Sequence, residues 1–168
     1  MTRSKTKPRP ASKAADPRAP SKASDLSLTL DLSKAAPAVF AAVNDVAAWW
    51  NRGVEGTTRG LGAEFAVQFD DLHFSRQRIV DWVPDRRVTW LVTESRLSWL
   101  DDPAEWNGTR VDFQVTPRGQ ASELRFTHEG LLPDVECYQG CSAAWQHFVG
   151  GSLRDLIEKG RGQPHQDT

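Results

Sequence analysis

Apolar and polar residues alternate along most of the chain with a period of two, the pattern of strands that are buried on one face. The first run spans 26–32, where four leucines alternate with polar residues. Turn residues such as Pro84-Asp85 and Asn107-Gly108 separate the later runs. Those runs lie at 65–69, 72–82, 88–92, 111–115 and 124–128. The pattern predicts an antiparallel sheet of six to seven strands joined by short hairpins.

A short helical region follows the first strand. Pro37 suits the first turn of a helix, where its missing N–H is not needed, and the apolar residues after it predict a helix over 37–46. The run Ala47-Ala48-Trp49-Trp50 predicts a further helical turn before Gly53. The sheet is therefore expected to begin with one strand, continue through two short helices, and resume with the remaining strands.

A second helical region closes the folded part of the chain. Four apolar residues recur there at spacings of three, four and three: Tyr138, Cys141, Trp145 and Phe148. This spacing predicts a helix over 134–159, with Asp134 as its N-cap and Gly160 as its C-terminal stop. Gly150-Gly151 interrupts this helix and should cost roughly 1 kcal/mol per glycine relative to alanine. The pair therefore predicts either a close backbone approach or a bend.

The resulting fold class is α+β, a curved antiparallel sheet of six to seven strands around a long C-terminal helix. One helix is about 10–12 Å wide, whereas seven strands spaced about 4.8 Å apart are roughly three times wider. The sheet must therefore curl around the helix. A curled sheet leaves space beneath it, and large aromatic side chains either fill that space or line it.

Several stretches match a known family in their order and spacing. They are Ala36-Pro37-Ala38-Val39-Phe40, Trp49-Trp50, the residues of 79–90, 124–131 and 140–153, and Gly160-Arg161-Gly162-Gln163-Pro164. Across about 26–164 the chain resembles the helix-grip (START-like, Bet v 1-like, SRPBCC) superfamily, and within it bacterial proteins similar to the Hsp90 ATPase-activator domain. The resemblance implies a helix-grip fold. It also implies binding of a lipid or an aromatic or polyketide-like molecule, or, as in a few members, cyclisation or hydrolysis.

The formal net charge of −1 hides an uneven distribution. Residues 1–25 carry seven Lys/Arg and two acidic residues, four of the ten prolines, and none of the large aliphatic or aromatic residues. Such a segment cannot bury enough apolar surface to fold, so 1–25 is predicted to be a disordered basic tail ahead of a single domain at 26–164. The tail either contacts acidic partners or is a solubilising extension. Without aromatic residues for base stacking, specific nucleic-acid binding is not expected.

Sequence motifs exclude several common chemistries. Phosphate-binding glycine loops, the Gly-x-Ser-x-Gly elbow and the His-Glu-x-x-His zinc motif are all missing. Cys137 and Cys141 are four residues apart, a helical spacing that does not close a normal disulfide, so a buried, reduced Cys141 is expected. Neither a metal nor a cofactor is predicted. Without an apolar signal or spanning segment, we expect a cytoplasmic protein with no membrane span.

Candidate residues for a cavity between sheet and helix are aromatic or carry one polar group. The aromatic candidates are Trp90, Phe113, Phe126, Tyr138 and Trp145. His128 shares a strand face with Leu124 and Phe126, either as a cavity-facing polar group or as a core histidine. Arg76 and Arg78 share a predicted face with Trp82 and point either into the cavity, where they could bind a carboxylate, or into solvent.

Three functions remain open at this point. The first is non-enzymatic binding of a small hydrophobic molecule in the cavity, since sites for apolar ligands are concave and lined by aromatic side chains. The second is a cavity enzyme, such as a cyclase or hydrolase, which needs at least two ionisable groups that converge on one point. The third is an interaction module with a chaperone partner, as the name of the resembled family implies.

Overall fold

The computed structural model describes residues 25–166, in which seven strands form one curved antiparallel sheet. The strands are β1 (Leu26–Leu32), β2 (Glu55–Gly56), β3 (Glu64–Phe69), β4 (His73–Val83), β5 (Arg87–Leu97), β6 (Arg110–Arg118) and β7 (Ala121–Glu129). The helices are α1 (Ala36–Asn44), α2 (Val46–Trp49), α3 (Tyr138–Trp145), a π-helical segment (Gln146–Leu153) and α4 (Arg154–Lys159). The predicted α+β class and element order are confirmed. The basic tail lies outside the described residues, and the boundaries 26–164 stay a prediction.

The strands follow the order β1-β7-β6-β5-β4-β3-β2 across the sheet. The order places β1 beside the last strand, with Leu26 opposite His128 and Leu32 opposite Ser122. All other neighbours are consecutive along the chain. Short turns join β3 to β4, β4 to β5 and β6 to β7, as predicted, whereas residues 98–109 form a longer loop between β5 and β6. The first strand therefore closes one side of the sheet, while α1 and α2 connect it to the opposite edge.

The side chains of β4 do not alternate regularly between the two faces of the sheet along the whole strand. The pairing with β5 shifts register at Arg76/Gln77 and at Ile79/Asp81. A bulge inserts one extra residue and changes which side the following residues face. The prediction that Trp82 shares a face with Arg76 is therefore wrong: Trp82 contacts Phe40 of α1, with ring centroids 5.0 Å apart.

The core lies between the concave face of the sheet and the helices. The period-two pattern places Val111, Phe113 and Val115 on that face of β6, and all three are buried. The continuous helical stretch 138–159 contributes buried apolar residues at helical spacing, including Trp145 and Val149. Each such side chain stabilises the fold by roughly 1.5–3 kcal/mol through the apolar surface it removes from water.

The C-terminal helix differs from its prediction at its start and in its middle. It begins at Tyr138, with Cys137 at the N-cap, because a tight turn occupies the residues before it: the Tyr138 N–H donates to Val135 O over 3.0 Å. Asp134 as N-cap is therefore wrong. Gly150-Gly151 lies within the wider π-helical turn, and a Cβ on either glycine would meet nothing within 4 Å. Close backbone approach is therefore not their role. Gly160 does end the helix, with φ 83°.

The close backbone approach occurs at Gly162 instead. A Cβ there would lie 2.5 Å from Ala48 O and 3.0 Å from Ser152 O, so no larger residue fits. Beside it, the buried Ser152 hydroxyl donates to Trp49 O (2.8 Å) and accepts from the Gln163 N–H (2.6 Å). These contacts fasten the π-helical segment and the chain after α4 to the end of α2.

The two cysteines are also placed differently from their prediction. The structure joins Cys137 and Cys141 in a disulfide with a Cα–Cα distance of 5.5 Å, within the usual range for a disulfide. The expectation of a reduced Cys141 is therefore wrong. Cys137 has helical backbone angles and its carbonyl accepts the Cys141 N–H over 2.7 Å, so the two residues lie one helical turn apart. The disulfide lies at the start of α3, next to the pocket described below.

Candidate ligand-binding pocket

Aromatic rings fill the middle of the space between sheet and helices. Trp90, Phe113 and Phe126 have no exposed surface. Ring centroids are 5.0 Å apart for Trp90 and Phe113 and 5.3 Å apart for Phe113 and Phe126. Trp49 of α2 packs against Phe113 at 5.9 Å. These three predicted cavity residues are therefore packed against one another, and we name Trp49, Trp90, Phe113 and Phe126 the aromatic core.

A pocket opens at one end of the same space. Its volume is about 190 Å³. It lies where the β3–β4 turn and the long loop between β5 and β6 meet α3. The lining residues are Trp50, Phe69, Leu72, His73, Trp99, Trp106, Gly140, Cys141, Ala144, Trp145 and Phe148. Lys, Arg, Asp and Glu do not occur among these eleven residues, so the lining is apolar apart from His73 and the indole N–H groups.

The loop between β5 and β6 forms one wall of the pocket and is tied to the start of the C-terminal helix. The Glu105 carboxylate accepts the backbone N–H groups of Glu136 and Cys137, each over 3.1 Å. In return, Glu136 accepts the backbone N–H of Asp101 over 2.8 Å. These reciprocal bonds satisfy N–H groups at the helix start and hold Trp99 and Trp106 against α3.

Trp145 forms the boundary between the aromatic core and the pocket. Its ring stacks on Trp50 at 5.1 Å and on Trp106 at 5.9 Å, on the pocket side. On the other side it contacts Phe126 at 4.8 Å. Among the eight residues predicted to line a cavity, Trp145 is the one that borders this pocket.

His128 is a fully buried histidine whose two ring nitrogens are both engaged. Nδ1 accepts the Trp145 indole N–H over 3.0 Å. Thr109 Oγ1 donates to Trp106 O, so it accepts the proton on His128 Nε2, 3.0 Å away. Burial, and then repulsion from His73, lowers the pKa of His128 to about 3. The imidazole is therefore neutral and held in one tautomer, which favours the core-histidine alternative.

His73 is the histidine that borders the pocket. Its Nε2 lies 2.9 Å from Ser75 Oγ. The ring is held edge-on to Phe69 and Trp106, with centroids 5.0 and 4.7 Å away. Burial lowers its pKa to about 4, so this ring is also neutral near pH 7. No sequence signal distinguished His73, because it stands at the first position of a strand.

The remaining predicted site residues lie away from the pocket. Arg76 and Arg78 are exposed on the outer face of the sheet, and Arg76 pairs there with Glu94 over 3.6 Å. The solvent-facing alternative is the one the structure shows. Tyr138 is half-buried and packs against the core without lining the pocket. The residues that sequence reasoning missed, Trp99 and Trp106, stand in a loop without periodicity. Only the presence of two tryptophans in a loop could have signalled them.

The described residues lack the features of two other kinds of site. Within residues 25–166, no three side chains of His, Cys, Asp or Glu are grouped so that they could hold a metal ion. No helix in that range is long and apolar enough to cross a membrane.

Comparison with known proteins identifies the fold. No protein-family profile and no curated protein matches the chain. Solved structures do match. The Aha1 dimer of Colwellia psychrerythraea aligns with a TM-score of 0.67 at 20% identity, over 82% of this chain and 98% of that one. The chain has the helix-grip fold.

Two further helix-grip structures are similar at lower scores. CalU16 of Micromonospora echinospora aligns with a TM-score of 0.57 at 16% identity, over 78% of this chain and 73% of that one. DynU16, from the dynemicin biosynthetic locus, aligns with a TM-score of 0.60 at 20% identity, over 82% of this chain and 48% of that one. At these identities the similarity concerns the fold alone. The pocket of this helix-grip chain must therefore be interpreted from its own residues.

Proposed function

We propose that this protein binds a small, uncharged, apolar molecule in the pocket beside Trp145, without transforming it. The observation that carries the proposal is a concave space of about 190 Å³ whose walls are mostly aromatic. An apolar cavity of about 150 Å³ is enough to hold benzene. The pocket here therefore suits a substituted single ring or a compact bicyclic molecule.

The exposure of two apolar residues at the pocket mouth supports this proposal. Leu72 is 54% exposed and Trp99 is 45% exposed, and both border the pocket. Large apolar side chains at a concave opening provide surface that a bound apolar molecule would cover. A ligand that extends beyond the enclosed volume would lie against these two residues.

Binding is favoured over catalysis because the lining holds a single titratable histidine. A general acid–base mechanism needs groups of matched pKa that converge on one reacting atom. His128, the residue considered for that role, uses both ring nitrogens for Thr109 and Trp145. His73 is then the one imidazole that borders the pocket, and its neutral ring lacks an ionised partner among the lining residues.

The chaperone-associated alternative has less support from the residues. The similarity to Aha1 is at 20% identity, which carries the fold and not the partner. The exposed pair Leu72 and Trp99 is small beside the roughly 800 Å² per partner that a stable protein interface buries. A cytoplasmic location remains a prediction.

The test compares two alanines on the same helix. Ala144 borders the pocket, whereas the neighbouring Ala143 does not, and both are exposed. Toluene binding to the wild type and to each variant is measured by isothermal titration and tryptophan fluorescence. We expect saturable binding to the wild type and to Ala143→Phe. Binding to Ala144→Phe should be at least about 10-fold weaker because the added ring occupies the pocket.

Two results would count against the proposal. The first is a wild-type protein that does not respond to toluene, to indole or to naphthalene. The second is equal toluene binding to Ala143→Phe and Ala144→Phe, which would place the bound molecule elsewhere.

A further inference from the structure

The hydrogen bonds around His73 determine which of its ring nitrogens carries the proton. The buried Ser75 hydroxyl oxygen accepts an N–H from Gln77 over 2.5 Å and lies 2.9 Å from His73 Nε2. If His73 Nε2 donated to this oxygen as well, the Ser75 O–H would have no acceptor among the hydrogen bonds of the described residues. A buried donor without a partner is costly. The Ser75 O–H therefore donates to Nε2, and the His73 proton resides on Nδ1.

The protonated Nδ1 of His73 has no partner in residues 25–166. The hydrogen bonds of that range include only Nε2 of this ring. Nδ1 is also not among the fully enclosed side-chain atoms that lack a partner, so it borders accessible space. Because His73 lines the pocket and its ring is fixed by Phe69 and Trp106, that space is the pocket. The ring thus presents an N–H donor there.

The indole N–H of Trp106 is not available to the pocket, because its Nε1 is fully enclosed. Trp106 is 4% exposed and borders the pocket, and its Nε1 forms no hydrogen bond within the described residues. By contrast, the indole of Trp145 donates to His128. Among the described residues, the His73 N–H is therefore a free donor that borders the pocket, and it favours a ligand with an acceptor atom over one with a donor.

The charge of the pocket limits the kind of acceptor. The lining contains no Lys or Arg, and burial keeps His73 neutral near pH 7 because it lowers the pKa of the ring to about 4. A carboxylate placed there would lose its hydration without gaining an opposite charge. A neutral oxygen, such as a carbonyl, accepts the same hydrogen bond at a much smaller desolvation cost.

We propose that the ligand is an uncharged aromatic molecule with a carbonyl group on or next to its ring, and that His73 Nδ1 donates a hydrogen bond to the carbonyl oxygen. This inference rests on the proposed function and adds the chemical class of the ligand. The ring of the ligand packs among the aromatic walls, and the carbonyl sets its orientation.

The test uses two probes of nearly the same shape. Acetophenone carries a carbonyl where α-methylstyrene carries a methylene group, and benzoate carries a carboxylate. At pH 7 we expect the wild type to bind acetophenone about 3- to 10-fold more tightly than α-methylstyrene, the range that a net hydrogen bond provides. Benzoate should bind more weakly than acetophenone.

Variants of His73 locate the donor. His73→Phe keeps an aromatic ring and removes the N–H, so the two neutral probes should bind equally. His73→Asn keeps a donor close to the ring position and should restore part of the preference. Ser75→Ala frees the proton to occupy either nitrogen and should lower the preference without abolishing binding.

The outcomes separate the two proposals. If the wild type binds both neutral probes equally, or if His73→Phe keeps the acetophenone preference, the inference about the ligand is overturned while the pocket stands. If neither neutral probe binds the wild type, the proposed function itself fails. The wild-type comparison needs no variant, so a variant that fails to fold does not block the test.

Discussion

The aromatic core fills the middle of the space between sheet and helices and the pocket opens at one end of it, and both are built largely from tryptophan and phenylalanine. In the aromatic core, Trp90 and Phe113 lie on adjacent strands and their rings contact each other with no exposed surface. At the pocket, Trp99 and Trp106 stand on a loop, and the rings are separated enough to leave about 190 Å³. Both regions are therefore rich in aromatic residues. They differ in the backbone that carries these rings, which is adjacent strands for Trp90 and Phe113 and a loop for Trp99 and Trp106.

The difference follows from how each backbone is held. Strand neighbours sit about 4.8 Å apart and bring their side chains into contact. A loop can hold its side chains at a distance if its own backbone is tied down, as Glu105 and Glu136 do for this one. Stability should therefore reside in the aromatic core and recognition in the pocket.

The largest expected difference is in stability. Trp90→Ala removes a fully buried ring and should lower the free energy of unfolding by about 3–5 kcal/mol. Trp99→Ala removes a ring that is 45% exposed, and should cost about 1 kcal/mol or less. Urea titration of both variants measures this. Equal losses in the free energy of unfolding would show that the ring at the pocket contributes as much stability as the ring in the aromatic core.

Acid should weaken the fold through the two buried histidines. The pKa of His128 is lowered to about 3 and that of His73 to about 4, whereas both titrate near 6.5 when unfolded. As pH falls from 6.5 towards 4, the unfolded chain therefore binds protons that the folded chain does not. Stability should be complete above pH 6.5 and fall by on the order of 1 kcal/mol per pH unit for each histidine.

The acid experiment needs a control for carboxylates that titrate in the same range. Urea midpoints of the wild type and of His73→Phe are compared between pH 7 and pH 4.5. The variant should lose stability less steeply, since one of the two histidines is gone. Parallel curves would contradict the buried, neutral state of His73.

A smaller loss is expected at the boundary between the two regions. Thr109→Val keeps the shape of the side chain but removes the oxygen that accepts the His128 Nε2 proton. A buried imidazole N–H is then left unpaired, which should cost about 1–3 kcal/mol. Thermal and urea unfolding measure the loss. A neutral substitution would contradict the hydrogen bond assigned between His128 Nε2 and Thr109.

The smallest effect on stability is expected at the pocket mouth. A Cβ at Gly140 would lie 3.0 Å from the end of the Trp99 ring, whereas a Cβ at Gly150 would meet nothing within 4 Å. Gly140→Ala should therefore displace Trp99 and change toluene affinity, with a stability change of about 1 kcal/mol or less. Gly150→Ala serves as the matched control and should leave the affinity unchanged. The same affinity for both variants would exclude Trp99 from the binding surface.

Periodicity predicts the elements of this fold well, because strands and helices each impose a repeat on apolar residues. The β6 pattern of Val111, Phe113 and Val115 is an example, and all three are buried. Periodicity does not register a bulge, and for that reason Trp82 was assigned to the wrong face of β4.

The site was much harder to predict than the fold. Trp145 was found because it repeats at helical spacing. Trp99, Trp106 and His73 come together through the tied loop and the β3–β4 turn, and neither feature leaves a repeat in the sequence. Whether Trp90 fills the interior or lines a cavity depends on side-chain packing, which alternation alone does not specify.

The seven tryptophans can report whether small aromatic molecules enter the pocket or the aromatic core. Each indole N–H gives its own signal in a nitrogen–proton correlation NMR spectrum, which is recorded while acetophenone is added. We predict that the signals of Trp99 and Trp106 move first and furthest, together with those of Trp50 and Trp145. Shifts confined to Trp49, Trp82 and Trp90, or a spectrum that does not change, would contradict binding in the pocket.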